Sequence, residues 1–319
     1  MNGNRHTALA LLGTSLLAML SLTGCFTGVE STKAITQKDV NKAIDNTKGQ
    51  AKYADNSTLY AINHDSFPDW ESGKLFFVTD DNIKLLFTPS TTLSSSSSLK
   101  HKLLKYSKYT TYKSIESKDC INIHFIDTDS NEFVIATNKT LDEFKQAGNY
   151  YTIPFLIDID EILQLRSMLK NKELYIKTSL WYDADERLIN GRKFIKITIN
   201  DILPGNKVFP YKIRFSAGNS EAYLFMSSDL SSVQNRSFND LFSTTDIHER
   251  YPEISDEIWQ HIINGDVVLD MTKDECRLAL GAPKAIDRRP TYDGLKEYWT
   301  YDNGVFLIFE DGQLRKFRK

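Results

Sequence analysis

The feature that most limits the fold of this chain is a strict alternation of apolar and polar residues in its middle third. The segment 195–200 reads IKITIN, and the segment 211–216 reads YKIRFS. Side chains at every second position share one face of a strand, so both segments predict strands with one buried face and one solvent-exposed face. Turn-forming pairs separate the strands, at Asn190-Gly191, Pro204-Gly205 and Gly218-Asn219. We therefore predict a small antiparallel, barrel-like β domain over 173–236.

More strands are predicted upstream, in a β-rich N-terminal domain with a helix over 61–172. KLFFVT and IKLLFT flank Asp80-Asp81-Asn82 and predict one hairpin, whereas INIHFID and EFVIAT flank TDSN and predict a second hairpin. The polar residues 89–101, with five consecutive serines, predict a loop or a linker.

Two helices are predicted near the end of this domain. Thr140 is followed three residues later by Glu143, which is typical of a capping box at the start of a short helix ending near Gly148. Asp160 is expected to cap a longer helix. Its apolar residues recur at helical spacing and share one face, namely Ile162, Leu165 and Leu169.

A well-marked helix is predicted near the C-terminus, where residues 270–283 read DMTKDECRLALGAP. Thr272 and Glu275 have the spacing of a capping box. Cys276 lies on the apolar face of the helix. Gly281 supplies a left-handed position after the helix, and Pro283 prevents its continuation.

A C-terminal module over 237–319 is predicted around this helix. Ser237 and Asp240 predict another capping box, and DEIWQHIING predicts a helix closed by Gly265. The segments KEYWTY, VFLIFE and QLRKF are separated by Asn-Gly and Asp-Gly and predict a three-stranded meander. The predicted fold class is therefore α+β, with a central antiparallel β-rich region followed by an α-α-β-β-β module.

The N-terminus predicts a targeting segment. Arg5 precedes an apolar run over 8–22, which is too short for a comfortable membrane span. The tetrapeptide Leu22-Thr23-Gly24-Cys25 resembles the lipobox of bacterial lipoproteins. The resemblance implies a signal peptide over 1–24, lipidation of Cys25 and a tether over 25–60. An ordinary signal peptide with an unrelated cysteine is the alternative.

The same resemblance implies a cellular location. Acyl chains on Cys25 would hold the protein stably on a membrane. Phe26 occupies the position at which aspartate retains enteric lipoproteins in the inner membrane, so the outer membrane is implied. The first acidic residue after the cysteine is Glu30, which favours the periplasmic face over the cell surface.

The C-terminal module resembles the SmpA/OmlA, or BamE-like, lipoprotein family. The resemblance covers about residues 257–319 and depends on three motifs: Leu280-Gly281-Ala282-Pro283, Trp299-x-Tyr301 and Phe309-x-x-Gly312-x-Leu314. Members of this family are small outer-membrane lipoproteins, and the best known is a non-enzymatic accessory of the β-barrel assembly machinery. The resemblance implies a binding or scaffold role with an envelope protein as partner.

The net charge gives no support for nucleic-acid binding, and the cysteine content limits the possible disulfides. The net charge of −3 becomes −4 once the signal segment and its Arg5 are removed, which gives no reason to expect nucleic-acid binding. Cys120 and Cys276 are the cysteines that remain after Cys25. Both lie in apolar patterns and are expected to be free and buried, with a disulfide between them as the alternative.

Three groups of residues are candidates for a metal-binding or catalytic site. Asp127, Asp129 and Asn131 have the spacing of calcium ligands, but the later positions of such a loop do not follow, so a hairpin turn is preferred. The acids Asp158, Asp160 and Glu161 could be paired catalytic carboxylates, but the start of a helix explains them without any catalytic role and is preferred. Cys276 has no histidine nearby in sequence to activate it as a nucleophile.

The six histidines show no zinc spacing, and the sequence contains no nucleophile elbow. We therefore predict no catalytic residue, no cofactor and no metal. The expected function is that of a non-enzymatic, lipid-anchored envelope protein with a binding or scaffold role, for which outer-membrane assembly is the candidate process. The alternative is a lipoprotein that binds peptidoglycan or another glycan through the central barrel-like region. An unrecognised hydrolase is a third hypothesis, which no group of residues supports.

Overall fold

The computed structural model describes residues 62–89, 98–147, 151–228, 236–292 and 294–319. The predicted signal peptide over 1–24, Cys25 and the tether over 25–60 lie outside these ranges. So do most of the serine-rich segment and Gly148. No helix in the described ranges is long and apolar enough to cross a membrane. The fold is of the mixed α+β class, as predicted, and is rich in strands.

The first sheet is antiparallel and has five strands in the order β4-β3-β2-β1-β5. Its strands are β1 (Leu75–Val78), β2 (Leu103–Lys113), β3 (Asp119–Ile126), β4 (Glu132–Thr140) and β5 (Leu156–Asp158). Its core is aromatic, with Phe67, Trp70, Phe76 and Phe125 packed edge to face or tilted against their neighbours. The predicted hairpin around TDSN is confirmed, because β3 pairs directly with β4.

The other predicted hairpin is wrong. Residues Asp81–Leu86 form a 3₁₀ helix, and β1 pairs with β2 and β5. Asp80 caps this 3₁₀ helix by accepting the Asn82 N–H, and the Asp81 carboxylate accepts the N–H of Leu99 at 2.6 Å. Local side-chain bonds of this kind compete with strand pairing, and a short apolar run cannot by itself distinguish the two structures.

The predicted capping box at Thr140 and Glu143 is present, and it begins helix α1 (Leu141–Gln146). The longer helix, α2 (Ile159–Leu169), buries the predicted face. Its cap is Asp158, not Asp160 as predicted, since the Asp158 side chain accepts the Asp160 N–H at 2.9 Å. Asp158 and Asp160 are both of the residue type that caps helices, and the helix begins at Ile159, so Asp158 is the cap.

The second sheet is antiparallel and has seven strands in the order β12-β6-β9-β10-β11-β7-β8, so β12 and β8 form its two edges. Its strands are β6 (Glu173–Ile176), β7 (Leu180–Tyr182), β8 (Leu188–Asn190), β9 (Ile195–Pro204), β10 (Tyr211–Ala217), β11 (Ser220–Met226) and β12 (Phe242–Ser243). The alternating residues Ile197, Ile199, Ile213 and Phe215 are fully buried. Helix α2 packs into this second core, and the domain boundary at 172/173 stays a prediction.

The described residues of the C-terminal part form three α-helices, α3 (Phe238–Leu241), α4 (Asp256–Asn264) and α5 (Lys273–Leu280), and one 3₁₀ helix, His248–Arg250. The capping boxes predicted at Ser237 and Thr272 are both present. Gly265 has the predicted left-handed conformation. Gly281 has a positive φ of 85° but a ψ of −166°, so it is not in the left-handed helical region that was predicted.

Four strands follow α5, one more than predicted. They pair in chain order as β13 (Ala285–Thr291), β14 (Gly294–Thr300), β15 (Phe306–Glu310) and β16 (Gln313–Arg318). Every residue of β13 is exposed, so this edge strand carries no alternation from which it could be predicted. Trp299, Leu307 and Phe309 face the helices and are fully buried.

Both remaining cysteines are free and buried, as predicted. Cys276 is fully buried in the C-terminal core, on the predicted face of α5. Burial raises the pKa of Cys276 to about 12, with a smaller contribution from the neighbouring Glu275 carboxylate. A thiol in this state is not a nucleophile at neutral pH.

Candidate functional site: a cleft beside a buried charge cluster

A cleft of ≈ 340 Å³ lies where β5 meets α2 and where β9 turns into β10. Hydroxyl and amide groups from several segments line it, together with apolar side chains, two acids and one basic residue, Lys207. The polar groups belong to Thr79, Thr152, Asn206 and Ser228. The acids are Asp158 and Glu161, which lie at the N-terminal end of α2.

Lys74 joins three carboxylates next to this cleft. Its Nζ atom lies 2.9 Å from Asp65, 2.8 Å from Asp158 and 2.7 Å from Asp160. The Lys74 side chain is only 3% exposed, whereas Asp65 and Asp160 are about half exposed. The cluster ties the residue before β1 to the start of α2, and two of its carboxylates still reach water.

The ionisation of this cluster follows from its contacts. Burial by itself lowers the pKa of Lys74, but hydrogen bonds to Asp158, Asp160 and Asp65 outweigh burial and raise it above the ordinary lysine value. Burial raises the pKa of Asp158, and the contact with Lys74 offsets only part of this effect. Lys74 is therefore a permanent cation at neutral pH, and its charge is shared among the carboxylates.

Glu161 is the second acid of the cleft and is 2% exposed. One carboxylate oxygen lies 2.7 Å from His64 Nδ1, and the other accepts the Tyr211 hydroxyl at 2.8 Å. These contacts connect α2 to the segment before β1 and to the first residue of β10. Because both oxygens have partners, Glu161 acts as a buried junction between three segments.

The backbone on one side of the cleft is strained. Phe155 has a φ of 69°, which is unfavourable for a residue with a bulky side chain. The Thr79 N–H and hydroxyl both donate to the Phe155 carbonyl, at 2.9 and 3.1 Å. Strain of this kind persists where surrounding contacts fix it, and it occurs often at binding sites.

The three candidate catalytic acids, Asp158, Asp160 and Glu161, all lie at the start of α2. Asp158 caps the helix, as the helix-start explanation predicts, whereas its ion pair with Lys74 is not predicted by the sequence. Lys74 immediately precedes the apolar strand β1, and this position is the local sequence signal for a buried cation. Its partners, and those of Glu161, lie tens of residues away along the chain.

The other candidate residues have structural contacts. The Asp127 carboxylate accepts the N–H groups of Asp129 and Asn131, at 2.9 and 2.8 Å, so this acid closes the turn between β3 and β4. Among the residues that the structure describes, no group of three or more metal-binding side chains is present. The cleft combines apolar side chains with a few polar and charged groups, and this composition suits the binding of a ligand.

Comparison of the chain with protein families, with curated proteins and with solved structures finds no match.

Proposed function

We propose that this protein is a non-enzymatic, lipid-anchored protein of the cell envelope with a binding or scaffold role, for which outer-membrane assembly is the candidate process. The observation that carries the proposal is the internal pairing of the charged groups beside the cleft. Lys74 and Glu161 join segments of the fold through their contacts, so we assign their charges a structural role and not a catalytic one. The tetrapeptide Leu22-Thr23-Gly24-Cys25 supports the lipid anchor.

The anchor can be tested directly. Cells that express the full chain are labelled with radioactive palmitate and fractionated, with Cys25→Ala as the matched variant. We expect label and outer-membrane recovery for the wild type, and loss of both for the variant. Equal recovery of unlabelled protein in the outer membrane for both chains would contradict the anchor.

The scaffold role has its own test. Envelopes that contain the full chain are cross-linked, and the proteins that co-purify are compared with those from the Cys25→Ala variant. We expect envelope proteins to be enriched with the anchored chain, and outer-membrane protein levels to fall when the gene is deleted. Unchanged levels together with no captured protein would argue against the role.

A second candidate function is glycan binding, as in a protein that attaches to peptidoglycan. The polar rim of the cleft favours it, because hydroxyl and amide groups beside an apolar wall match the surface of a sugar ring. Val208 lines the cleft and is 42% exposed, so Val208→Trp would fill it. Leu180→Trp is the matched control, since Leu180 is exposed on β7 and away from the cleft lining.

Retention of the full chain on purified peptidoglycan should fall with Val208→Trp and not with Leu180→Trp. If the wild-type chain is not retained, the glycan-binding hypothesis is wrong, and the scaffold proposal is unaffected.

A further inference from the structure

A second pocket, of ≈ 350 Å³, lies where the second sheet meets the C-terminal helices. None of its lining residues belongs to the cleft described above. Its basic groups are those of Lys177 and Arg250, and its apolar wall comes from both sides of the junction. The wall residues are Phe194, Phe242, Ile247, Tyr251 and Leu278.

Lys177 is positioned at this pocket by the end of β6. Its N–H donates to the Leu241 carbonyl at 2.7 Å, and its Nζ atom donates to the Asn239 carbonyl. No carboxylate of the described residues lies within 4.0 Å of the ammonium group, in contrast to Lys74. The half-buried cation therefore has a neutral partner and faces an open pocket.

The electrostatics favour an anion at this position. Burial lowers the pKa of Lys177, Asp240 opposes this from a distance, and the positive charge of Arg250 lowers it further. The Arg250 guanidinium donates to the Thr245 hydroxyl at 3.1 Å and lines the same pocket. Two cations at one pocket repel each other, and a bound anion would relieve both the repulsion and the lost hydration of Lys177.

The apolar wall is held rigidly by Trp259, which is buried in α4. The ring centroids of Phe194 and Tyr251 lie 5.7 and 6.3 Å from that of Trp259, in stacked arrangements. Phe194 also has a φ of 58°, a strained backbone fixed by its N–H bond to the Ile176 carbonyl. A preformed wall loses little entropy when a ligand binds against it.

We propose that this pocket binds an organic carboxylate with an apolar, aromatic body, whose carboxylate meets Lys177 and Arg250 and whose body packs between Phe194 and Leu278. The carboxylate could come from a free small acid or from the C-terminal residue of a polypeptide, and both offer the same group. Residues of the second sheet and of α5 both line the pocket, so occupancy would also couple the two cores. This inference is independent of the proposed scaffold role.

The test uses calorimetry and ligand-observed NMR on the full chain with four probes. These are hydrocinnamate, its amide, a tripeptide that ends in phenylalanine with a free carboxylate, and the same tripeptide amidated. We expect each acid to bind about tenfold more tightly than its amide, because a charge-assisted hydrogen bond replaces a neutral one. Binding of hydrocinnamate alone identifies a small acid as the ligand, and binding of the peptide acid identifies a chain terminus.

Variants locate the site. Lys177→Met keeps the apolar stem and removes the charge, so we expect affinity for the acids to fall about tenfold and the preference over the amides to disappear. Lys196→Met is the matched control, because Lys196 is an exposed cation of the neighbouring strand β9. Leu278→Trp fills the apolar end from α5 and should abolish binding without touching either cation.

The proposal is overturned if the wild-type chain binds neither acid, or if acids and amides bind equally well. It is also overturned if the folded Leu278→Trp variant binds hydrocinnamate as the wild type does. Thermal unfolding of each variant shows whether a loss of binding reflects the pocket or the fold.

Discussion

Among the residues that the structure describes, two lysines are buried, and their surroundings shift their pKa values in opposite directions. Lys74 contacts three carboxylates, and its pKa lies above the ordinary lysine value. Lys193 donates to the Ala279 carbonyl at the end of α5, and burial lowers its pKa to about 8. Burial always opposes charge, so the partner decides whether a buried lysine stays a cation.

The two lysines also join different parts of the fold. Lys74 links the residue before β1 to the start of α2, whereas Lys193 links the second sheet to the C-terminal helices. The ion pairs of Lys74 with its carboxylate partners persist at neutral pH and up to the ordinary lysine pKa of 10.5. A carbonyl partner at a helix C-terminus gives a weaker junction that depends on pH.

The largest effect is expected from Lys74→Met, which leaves the buried Asp158 without its cation. We expect a loss of ~3 kcal/mol in the free energy of unfolding, the low end for a broken buried ion pair, because Asp65 and Asp160 reach water. Urea unfolding at pH 7 measures it. Lys193→Met is the matched control and should change stability by less than ~1 kcal/mol. Equal losses in the two variants would remove the distinction between them.

The next effect is a pH dependence. The pKa of Lys193 in the folded state, about 8, lies below the ordinary value of 10.5. Between these values the unfolded chain holds a proton that the folded chain has released, so stability rises with pH. The difference in unfolding free energy between the wild type and Lys193→Met should increase by ~2 kcal/mol from pH 8 to pH 10.

Lys74 should not contribute to the increase in unfolding free energy between pH 8 and pH 10, in contrast to Lys193. Its raised pKa means that its stabilising effect is fully present below 10.5 and is lost only above that value. The difference between the wild type and Lys74→Met should therefore stay constant from pH 8 to pH 10. A flat profile for Lys193→Met would show that its charge does not change in this range.

A smaller effect is expected from Glu161→Gln. The substitution keeps the shape but replaces the carboxylate that pairs with His64 and Tyr211, so we expect a loss of about 1 to 2 kcal/mol at pH 7. Glu132→Gln is the matched control: Glu132 pairs with His124 at 2.8 Å but is 54% exposed. Its loss should be below ~0.5 kcal/mol. Similar losses for the two would mean that burial adds nothing to such a pair.

The smallest effect is expected at Cys276, a buried group that burial keeps neutral. Cys276→Ala should cost about 1 kcal/mol in unfolding free energy and leave partner capture unchanged. The wild-type thiol should resist an aromatic disulfide reagent at pH 8 until the chain unfolds, since burial raises its pKa to about 12. Rapid labelling of the folded chain, or loss of capture with normal folding, would show that the thiol has a functional role.

Local signals predicted much of the fold. The capping boxes at Thr140, Ser237 and Thr272 were read correctly because each involves residues three positions apart. Failures occurred where two local structures were close in energy, as at Asp81–Leu86, or where a strand has no buried face, as at β13. The acids of the candidate site were recognised as a helix start, and their pairing was not.

The α+β class, the central alternating strands and the ends of most helices follow from local sequence patterns, because hydrophobic period and capping are properties of neighbouring residues. The tertiary structure alone decided which charges meet. Lys74 and Asp160 are separated by 86 residues, and Lys193 reaches Ala279 over the same separation. Such contacts arise from the packing of sheets and helices, so no local pattern could distinguish the lysine that keeps its charge from the one that tends to lose it.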